Sequence, residues 1–207
     1  AVVANHGRFV ANADTALAYN GGAATTFDNT ATGTVQAAAG RTLTLGSGVG
    51  FVNHGGQLQA DAGGAIVYGD NAAAFHDGTR FTGAGANRVV GTARFNGGYT
   101  SENLVLQGGN FIGNGAVMGG STAFSGGSFT GSWTVGANQQ LAAVDGSFKY
   151  VDNGTFTNLG TVAWNTGNAW YLQGGAVVAN HGRFVANADT ALAYNGGAAT
   201  KIGRAHV

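Results

Sequence analysis

Apolar and small polar residues alternate along short segments of this chain, and turns rich in Gly, Asn and Asp separate the segments. The pattern is clear in the consecutive segments AVVANHG, RFVANAD and TALAYNGG, and again in TFTNLG, TVAWNTG and NAWYLQGG. Alternation places successive side chains on opposite faces of a strand, whereas a helix needs apolar residues three and four positions apart. The pattern therefore predicts short β-strands and no helices.

The segments belong to a longer repeat that carries one Asn or Asp turn per period. The turn residues Asn5, Asn29, Asn53 and Asp77 are 24 residues apart, and the 175 residues from Asn5 to Asn180 divide into eight periods of about 22. Three strands per period of this length are typical of a parallel β-helix, in which successive coils stack and hydrogen-bond to each other. We therefore predict an all-β, parallel β-helix of about eight or nine coils, with three short strands per coil.

Stacked coils predict columns of like side chains, because equivalent positions of the repeat lie one above another. Asn side chains can form such a column at a turn, since they tolerate left-handed backbone and stack as amide ladders. The absence of Pro agrees, because each coil uses its N–H groups to pair with a neighbour. One inward column is expected at Phe9, Val35, Leu58, Phe81, Val117, Val162 and Phe184, a second at Tyr19, Leu45, Tyr68, Leu106, Leu172 and Tyr194, and the turn column at Asn5, Asn29, Asn53 and Asp77.

Composition excludes several functional classes. Among 207 residues there are 39 Gly and no Pro or Cys, and 9 Lys and Arg balance 9 Asp and Glu. The scarcity of charge and a hydrophobic content of 44% argue against a disordered tail. No basic patch is present to neutralise phosphates, so we expect no nucleic-acid partner. No apolar run approaches the roughly 20 residues that span a bilayer, so we expect no membrane insertion by this chain.

The two ends of the chain contain the same amino-acid sequence. Residues 1–25 recur without change as residues 176–200, after which the copy continues as KIGRAHV rather than TFDNT. DNA that encodes IGRAHV resembles a widely used sequencing adapter, so we expect residues 201–207 to be non-native. We interpret residues 1–200 as a single β-helix domain from a longer repeat protein, with the rest of that chain as its partner at both ends. Open strand edges of a solenoid are expected to associate end to end.

Histidines recur at the turns, which raises the question of a metal site. His6, His54 and His181 lie in NHG turns, and His76 lies beside Asp77. Because His6 and His54 are two coils apart, roughly 10 Å at the usual strand spacing, they cannot share one ion. We expect exposed turn histidines and predict no metal-binding residue.

Signals for catalysis are equally sparse. Asp145 and Asp152 with Lys149 are the nearest approach to an acid cluster, but the next coil supplies no matching acid, so solvated turn Asp residues are expected. Nucleophile, P-loop and dinucleotide motifs are missing from the sequence. We predict no catalytic and no cofactor-binding residue, and no cofactor.

Aromatic residues concentrate in the last third of the chain. If they face outward, they form a platform for sugar stacking or protein contact. Core packing is favoured, because Trp170 and Tyr171 lie within an alternating strand. The residues concerned are Trp133, Tyr150, Trp164, Trp170 and Tyr171.

The turns and segments GTFTNLGTVAWNTG, GGAVVANHGRF and NLVLQGGNFIGNGAV resemble the passenger regions of bacterial autotransporters and filamentous haemagglutinin-like adhesins. The resemblance covers residues 1–200 and implies a right-handed β-helix at the bacterial cell surface or in the medium. It implies an adhesin or a structural stalk without catalysis, with a host or cell-surface glycan or protein as partner. A carbohydrate-active enzyme or a polysaccharide-binding module is the alternative, which would require paired acids in a cleft.

Overall fold

The structure, a computed structural model, describes residues 1–19, 21, 25–46, 48–69, 73–197 and 201–202. Every regular element among these residues is a β-strand, as the alternation predicts. No helix that could cross a membrane occurs in this part of the chain. The strands are β1 (Val2–Asn5), β2 (Arg8–Ala11), β3 (Thr15–Leu17), β4 (Thr25–Asn29), β5 (Thr34–Ala37), β6 (Thr42–Leu45), β7 (Val49–Asn53), β8 (Gln57–Ala60), β9 (Ala65–Tyr68), β10 (Ala73–His76), β11 (Thr79–Thr82), β12 (Ala86–Val89), β13 (Ala93–Val135), β14 (Gln140–Ala143), β15 (Lys149–Asn158), β16 (Thr161–Trp164), β17 (Trp170–Gln173), β18 (Val177–Asn180), β19 (Arg183–Ala186), β20 (Leu192–Tyr194) and β21 (Lys201–Ile202).

The strands stack as a β-solenoid of about eight turns of roughly 22 residues, which confirms the predicted parallel β-helix. Each early strand pairs in parallel with the strand three further along the chain. β1, β4, β7 and β10 form one face, β2, β5, β8 and β11 a second, and β3, β6, β9 and β12 a third. All three faces then continue onto β13, which bends around the solenoid.

The coils become shorter along β13. Asn5 and Asn29 hydrogen-bond across 24 residues, whereas Asn96 and Asn114, within β13, hydrogen-bond across 18. The backbone turns within β13 at glycines with positive φ, such as Gly97 at 93°. Only glycine adopts this conformation without steric cost. The repeat therefore keeps its stacking while it changes its length.

The first predicted inward column is confirmed except at one position. Phe9 pairs with Val35, Val35 with Leu58 and Leu58 with Phe81, and Val162 pairs with Phe184. Val117 is the exception, since it is 42% exposed while Ala116 and Met118 are buried. The prediction was wrong there because a shorter coil shifts the alternation by one residue, which moves a side chain to the other face.

The second column is confirmed at its centre and wrong at its start. Leu45, Tyr68, Leu106 and Leu172 are buried, whereas Tyr19 is 39% exposed. Leu17, the last residue of β3, pairs with Leu45 instead. The chain therefore leaves the inward face two residues before Tyr19. Tyr194 pairs with Leu172 as predicted but is 58% exposed, because no full coil of the described chain covers it.

The turn column forms a ladder of side-chain amides. Asn5 Nδ2 donates to Asn29 Oδ1 at 2.7 Å, and Asn29 Nδ2 donates to Asn53 Oδ1 at 2.6 Å. Asn53 Nδ2 then donates to the hydroxyl of Thr79 at 2.8 Å, so the predicted fourth member, Asp77, was wrong. Asn53 is paired in register with Phe75, which places Asp77 beyond the column in an exposed turn.

Candidate ligand-binding surface

The strands β15 and β17 present aromatic side chains to solvent. Lys149 and Val151 in β15 point inward, so Tyr150 between them points outward, and Tyr171 is its register partner in β17. The two tyrosine rings stack with centroids 5.4 Å apart and an interplanar angle of 23°. Phe148 meets the Tyr171 ring edge to face, also at 5.4 Å, and is itself 51% exposed. Phe148, Tyr150 and Tyr171 are called the aromatic strip.

Polar side chains lie beside the strip on the same outer face. Asp152 and Gln173 are paired in register and follow Tyr150 and Tyr171 by two positions, which places all four on one side of the sheet. Asp152 is half-buried, and Gln173 Oε1 accepts a hydrogen bond from Asn195 Nδ2 at 2.9 Å. A carboxylate and an amide therefore adjoin a stacked pair of aromatic rings.

A groove of about 560 Å³ adjoins the strip at the turn before β15, and it is called the polar groove after the charged and amide side chains on its walls. The groove and the strip meet at Ser147, which lines the groove and immediately precedes Phe148. Arg88 and Asp145 put opposite charges on the groove walls, and Gln107 adds an amide. The groove is built by β12, by the middle of β13 and by the turn between β14 and β15.

The three tryptophans belong to the core rather than to this surface. Trp133, Trp164 and Trp170 are 1%, 3% and 2% exposed. Core packing, which the alternation favoured, is therefore confirmed for them. Tyr150 and Tyr171 form the outward part of the predicted platform, so the favoured core packing was wrong for these two residues, which take the outward positions of their strands. Phe148 was missed, although its spacing of two from Tyr150 was a signal for the same face.

Lys149 does not join Asp145 and Asp152 at the surface, because its side chain is buried in the core. Its Nζ donates to the backbone carbonyls of Ser125 at 3.3 Å and Ser147 at 3.1 Å. Burial lowers the pKa of this ammonium to about 8, and the negative charge of Asp145 opposes that shift. The expectation of solvated turn Asp residues therefore does not extend to Lys149. The alternation of β15 turns it inward, while Asp145 is exposed and borders the groove.

The turn histidines lie on the surface, as predicted, and two of them form a pair. His6, His54 and His181 are exposed. The rings of His54 and His76 stack with centroids 4.7 Å apart, and His54 Nε2 lies 3.1 Å from Asp28 Oδ1. Within the described ranges, no group of three or more metal-ligating side chains occurs.

Comparison of the chain with known protein families, with curated proteins and with solved structures gave no match. The candidate surface is therefore interpreted from its own geometry.

Proposed function

We propose that this chain is part of a bacterial β-helical passenger, exported to the cell surface or the medium, that acts as an adhesin without catalysis. The observation that carries the proposal is the aromatic strip, in which Tyr150 and Tyr171 stack on the outside of the solenoid and Phe148 stands 51% exposed. Apolar rings grouped on the outer face of a soluble fold mark a binding surface. A structural stalk would need no such grouping.

A glycan is the ligand class that the strip fits best. Tyrosine faces offer apolar area for the C–H face of a sugar ring, together with a hydroxyl at the edge. Asp152 and Gln173 supply the acceptors and donors that sugar hydroxyls require next to a stacking ring. The polar groove with Arg88 and Asp145 extends the surface beyond one sugar unit. A host or cell-surface polysaccharide is the partner that we propose.

The test is binding of the full chain to an array of bacterial and host polysaccharides, followed by titration of the strongest ligand. Tyr171→Ala should weaken binding at least tenfold, because Tyr171 contacts both other rings of the strip. Tyr171→Phe keeps the ring and should retain most of the affinity. Val117→Ala removes apolar area at a position that is 42% exposed outside the strip, and should bind like the unchanged chain.

Two results would contradict the adhesin proposal. Equal binding by the Tyr171→Ala and Val117→Ala variants would place the ligand elsewhere. Absence of any glycan or surface-protein binding, with an unchanged far-ultraviolet circular dichroism spectrum, would leave the stalk as the function.

The alternative is a carbohydrate-active enzyme working in the polar groove. Arg88 and Asp145 are the charged groups that favour it, since glycan cleavage needs a positioned carboxylate. Depolymerisation of a uronic-acid polysaccharide by the chain, abolished by Asp145→Asn or Asp152→Asn, would establish this alternative over the adhesin. We expect no product in that assay.

A further inference from the structure

The carboxylate of Asp152 has no partner in the fold. Among the described residues, it accepts no hydrogen bond and forms no ion pair. Its register neighbour Thr130 donates its hydroxyl to Asn110 Oδ1 at 3.1 Å, and its other neighbour, Gln173, accepts from Asn195. Asp152 is half-buried, but neither of its oxygens is among the buried polar atoms that lack a partner, so both reach solvent.

Other acidic side chains stabilise the stacking of coils. Three of them accept a hydrogen bond from a backbone N–H of a neighbouring coil, namely Asp14 from Thr42, Asp77 from Gly98 and Glu102 from Gly83. Hydrogen bonds to a charged group contribute to the stability of a fold. Asp152 makes no such bond within the described part of the chain, so its charge is available to a ligand.

A glycine of the next coil leaves room for this carboxylate. A Cβ atom at Gly174 would lie only 2.5 Å from Asp152 Oδ1. Gly174 has a φ of 62°, in the left-handed region that favours glycine. The carboxylate therefore occupies the space that a side chain at position 174 would fill, and it lies against the end of β17 beside the aromatic strip.

The aromatic strip supplies the second part of a site for a cation. Tyr150 precedes Asp152 by two positions, which separates their Cα atoms by about 7 Å in an extended strand. Tyr171 lies opposite Tyr150 in register. An ammonium group is attracted both by a carboxylate and by the face of an aromatic ring. Lys149 does not compete for this site, because it is buried and bonds to backbone carbonyls.

We propose that the aromatic strip and Asp152 bind a glycan whose amino sugars carry free, protonated amines. The inference rests on the adhesin function proposed above and names the class of sugar that the strip takes. The C–H face of the sugar packs on the tyrosine rings, and its ammonium group donates to Asp152. No described residue accepts a hydrogen bond from Gln173 Nε2, so this amide can donate to a sugar hydroxyl.

Charge and shape together favour this class of ligand. A neutral sugar would leave the charge of Asp152 unpaired, and an acidic sugar would be repelled by it. A lysine-rich peptide has the cation, but it offers a flexible alkyl chain instead of a flat apolar face for the rings. A basic peptide is therefore the weaker candidate for the same site.

The test compares two ligands that differ in charge. Glucosamine oligomers and their fully N-acetylated counterparts of the same linkage and length are titrated into the full chain by calorimetry, in mildly acidic solution where free amines are protonated. The glucosamine oligomer should bind at least about tenfold more tightly, because its ammonium forms a charge-assisted hydrogen bond. Added salt should reduce this difference, since it screens exposed charges.

Variants of the chain assign the difference to individual side chains. Asp152→Asn keeps the shape of the side chain and should remove most of the preference for glucosamine. The matched control Asp14→Asn makes the same change at an exposed carboxylate of the first coil and should leave the preference unchanged. Tyr171→Ala should weaken the binding of both oligomers, because stacking on the ring does not depend on the amine. Circular dichroism checks that each variant keeps its strands.

Several outcomes would overturn the amino-sugar inference. Equal affinity for the two oligomers would overturn it and leave the adhesin proposal standing. Binding of neither oligomer would also overturn it, while the polysaccharide array would still decide the adhesin proposal. A preference that persists in Asp152→Asn would place the amine elsewhere on the chain. Poly-lysine that binds as tightly as the glucosamine oligomer, and loses its affinity in Asp152→Asn, would indicate a basic peptide as the ligand instead.

Discussion

Residues 1–25, called the N-terminal copy, and residues 176–200, called the C-terminal copy, have the same sequence, but equivalent described residues in them have different surroundings. Val3 is 51% exposed, whereas its equivalent Val178 is 8% exposed. The second strand shows the reverse, since Ala11 is 2% exposed and its equivalent Ala186 is exposed. The two side chains of each pair have the same orientation in their strands. The difference in exposure therefore comes from the coils on either side and not from the residues themselves.

This comparison separates two properties that burial usually combines. Alternation along a strand decides which side chains point inward. The neighbouring coils decide whether an inward position is also shielded from water. Val178 is paired with Phe156 on one side and with Ile202 of β21 on the other, whereas the described pairing of Val3 is with Phe27 of the following coil. Free energy of burial depends on the second property, because it scales with apolar area removed from water.

The largest expected effect contrasts an interior coil with a terminal one. Phe81 is fully buried between coils, so Phe81→Ala should lower the free energy of unfolding by about 3–5 kcal/mol. Phe9, in the same column, is only partly buried, and Phe9→Ala should cost at most about half as much. Urea unfolding of both variants measures the difference. Equal costs would mean that the terminal coil is shielded in solution.

The buried Lys149 extends the comparison to pH. Its pKa is about 8 in the folded chain and about 10.4 in an unfolded one, so between these values only the unfolded chain holds the proton. The free energy of unfolding should therefore rise as pH increases from about 8 to 10, by up to about 1.4 kcal/mol per pH unit. Urea unfolding across this range measures the rise.

The control for this pH dependence is Lys149→Met, which should remove the rise. Burial raises the pKa of Tyr68 and Tyr99, and their contribution is lost only as pH increases beyond about 10. The two tyrosines therefore change the free energy of unfolding only above the pH range in which Lys149 changes it. If the Lys149→Met variant keeps the full rise in the free energy of unfolding, the rise comes from another titrating group.

A smaller effect compares the two copies directly. Val178→Ala removes two buried carbon groups and should cost about 1.5 kcal/mol. Val3→Ala makes the same change at an exposed position and should stay within about 0.5 kcal/mol. Both are measured by urea unfolding at a concentration where the chain is monomeric.

The smallest effect is expected at the turns. His54 is exposed, and it stacks on His76 and lies near Asp28. His54→Ala should change the free energy of unfolding by no more than about 0.5 kcal/mol, since exposed pairs contribute little. Thermal unfolding followed by circular dichroism is sufficient to check it. A loss comparable to that of Phe81→Ala would reverse the assignment of inside and outside.

The stacking of the first coils, up to Phe81, was predictable from the sequence because the repeat has a constant period there. Phe9, Val35, Leu58 and Phe81 stack as the repeat indicates. The errors fall where the length of a turn or coil changes, as at Asp77 and Val117. A change of one residue moves every following side chain to the other face, and alternation alone does not show where the change occurs.

The candidate surface was predictable only in part. The sequence shows that aromatic residues concentrate in the last third of the chain, and alternation favours the core for Trp170. It does not show that Tyr150 and Tyr171 stack, because that depends on the register between β15 and β17. The polar groove joins residues as distant as Arg88 and Asp145, which only the stacking of coils brings together.

By itself, the sequence determined that the chain forms strands and stacked coils, and it determined which side chains point inward where the period is constant, because alternation and a repeat are local properties of the chain. The tertiary structure decided the register of each pairing, and with it the burial of Lys149 and the exposure of the aromatic strip. It also decided that one sequence is shielded as the C-terminal copy at Val178 and open as the N-terminal copy at Val3. Burial is a property of the neighbouring coil, and two identical segments with different neighbours cannot share it.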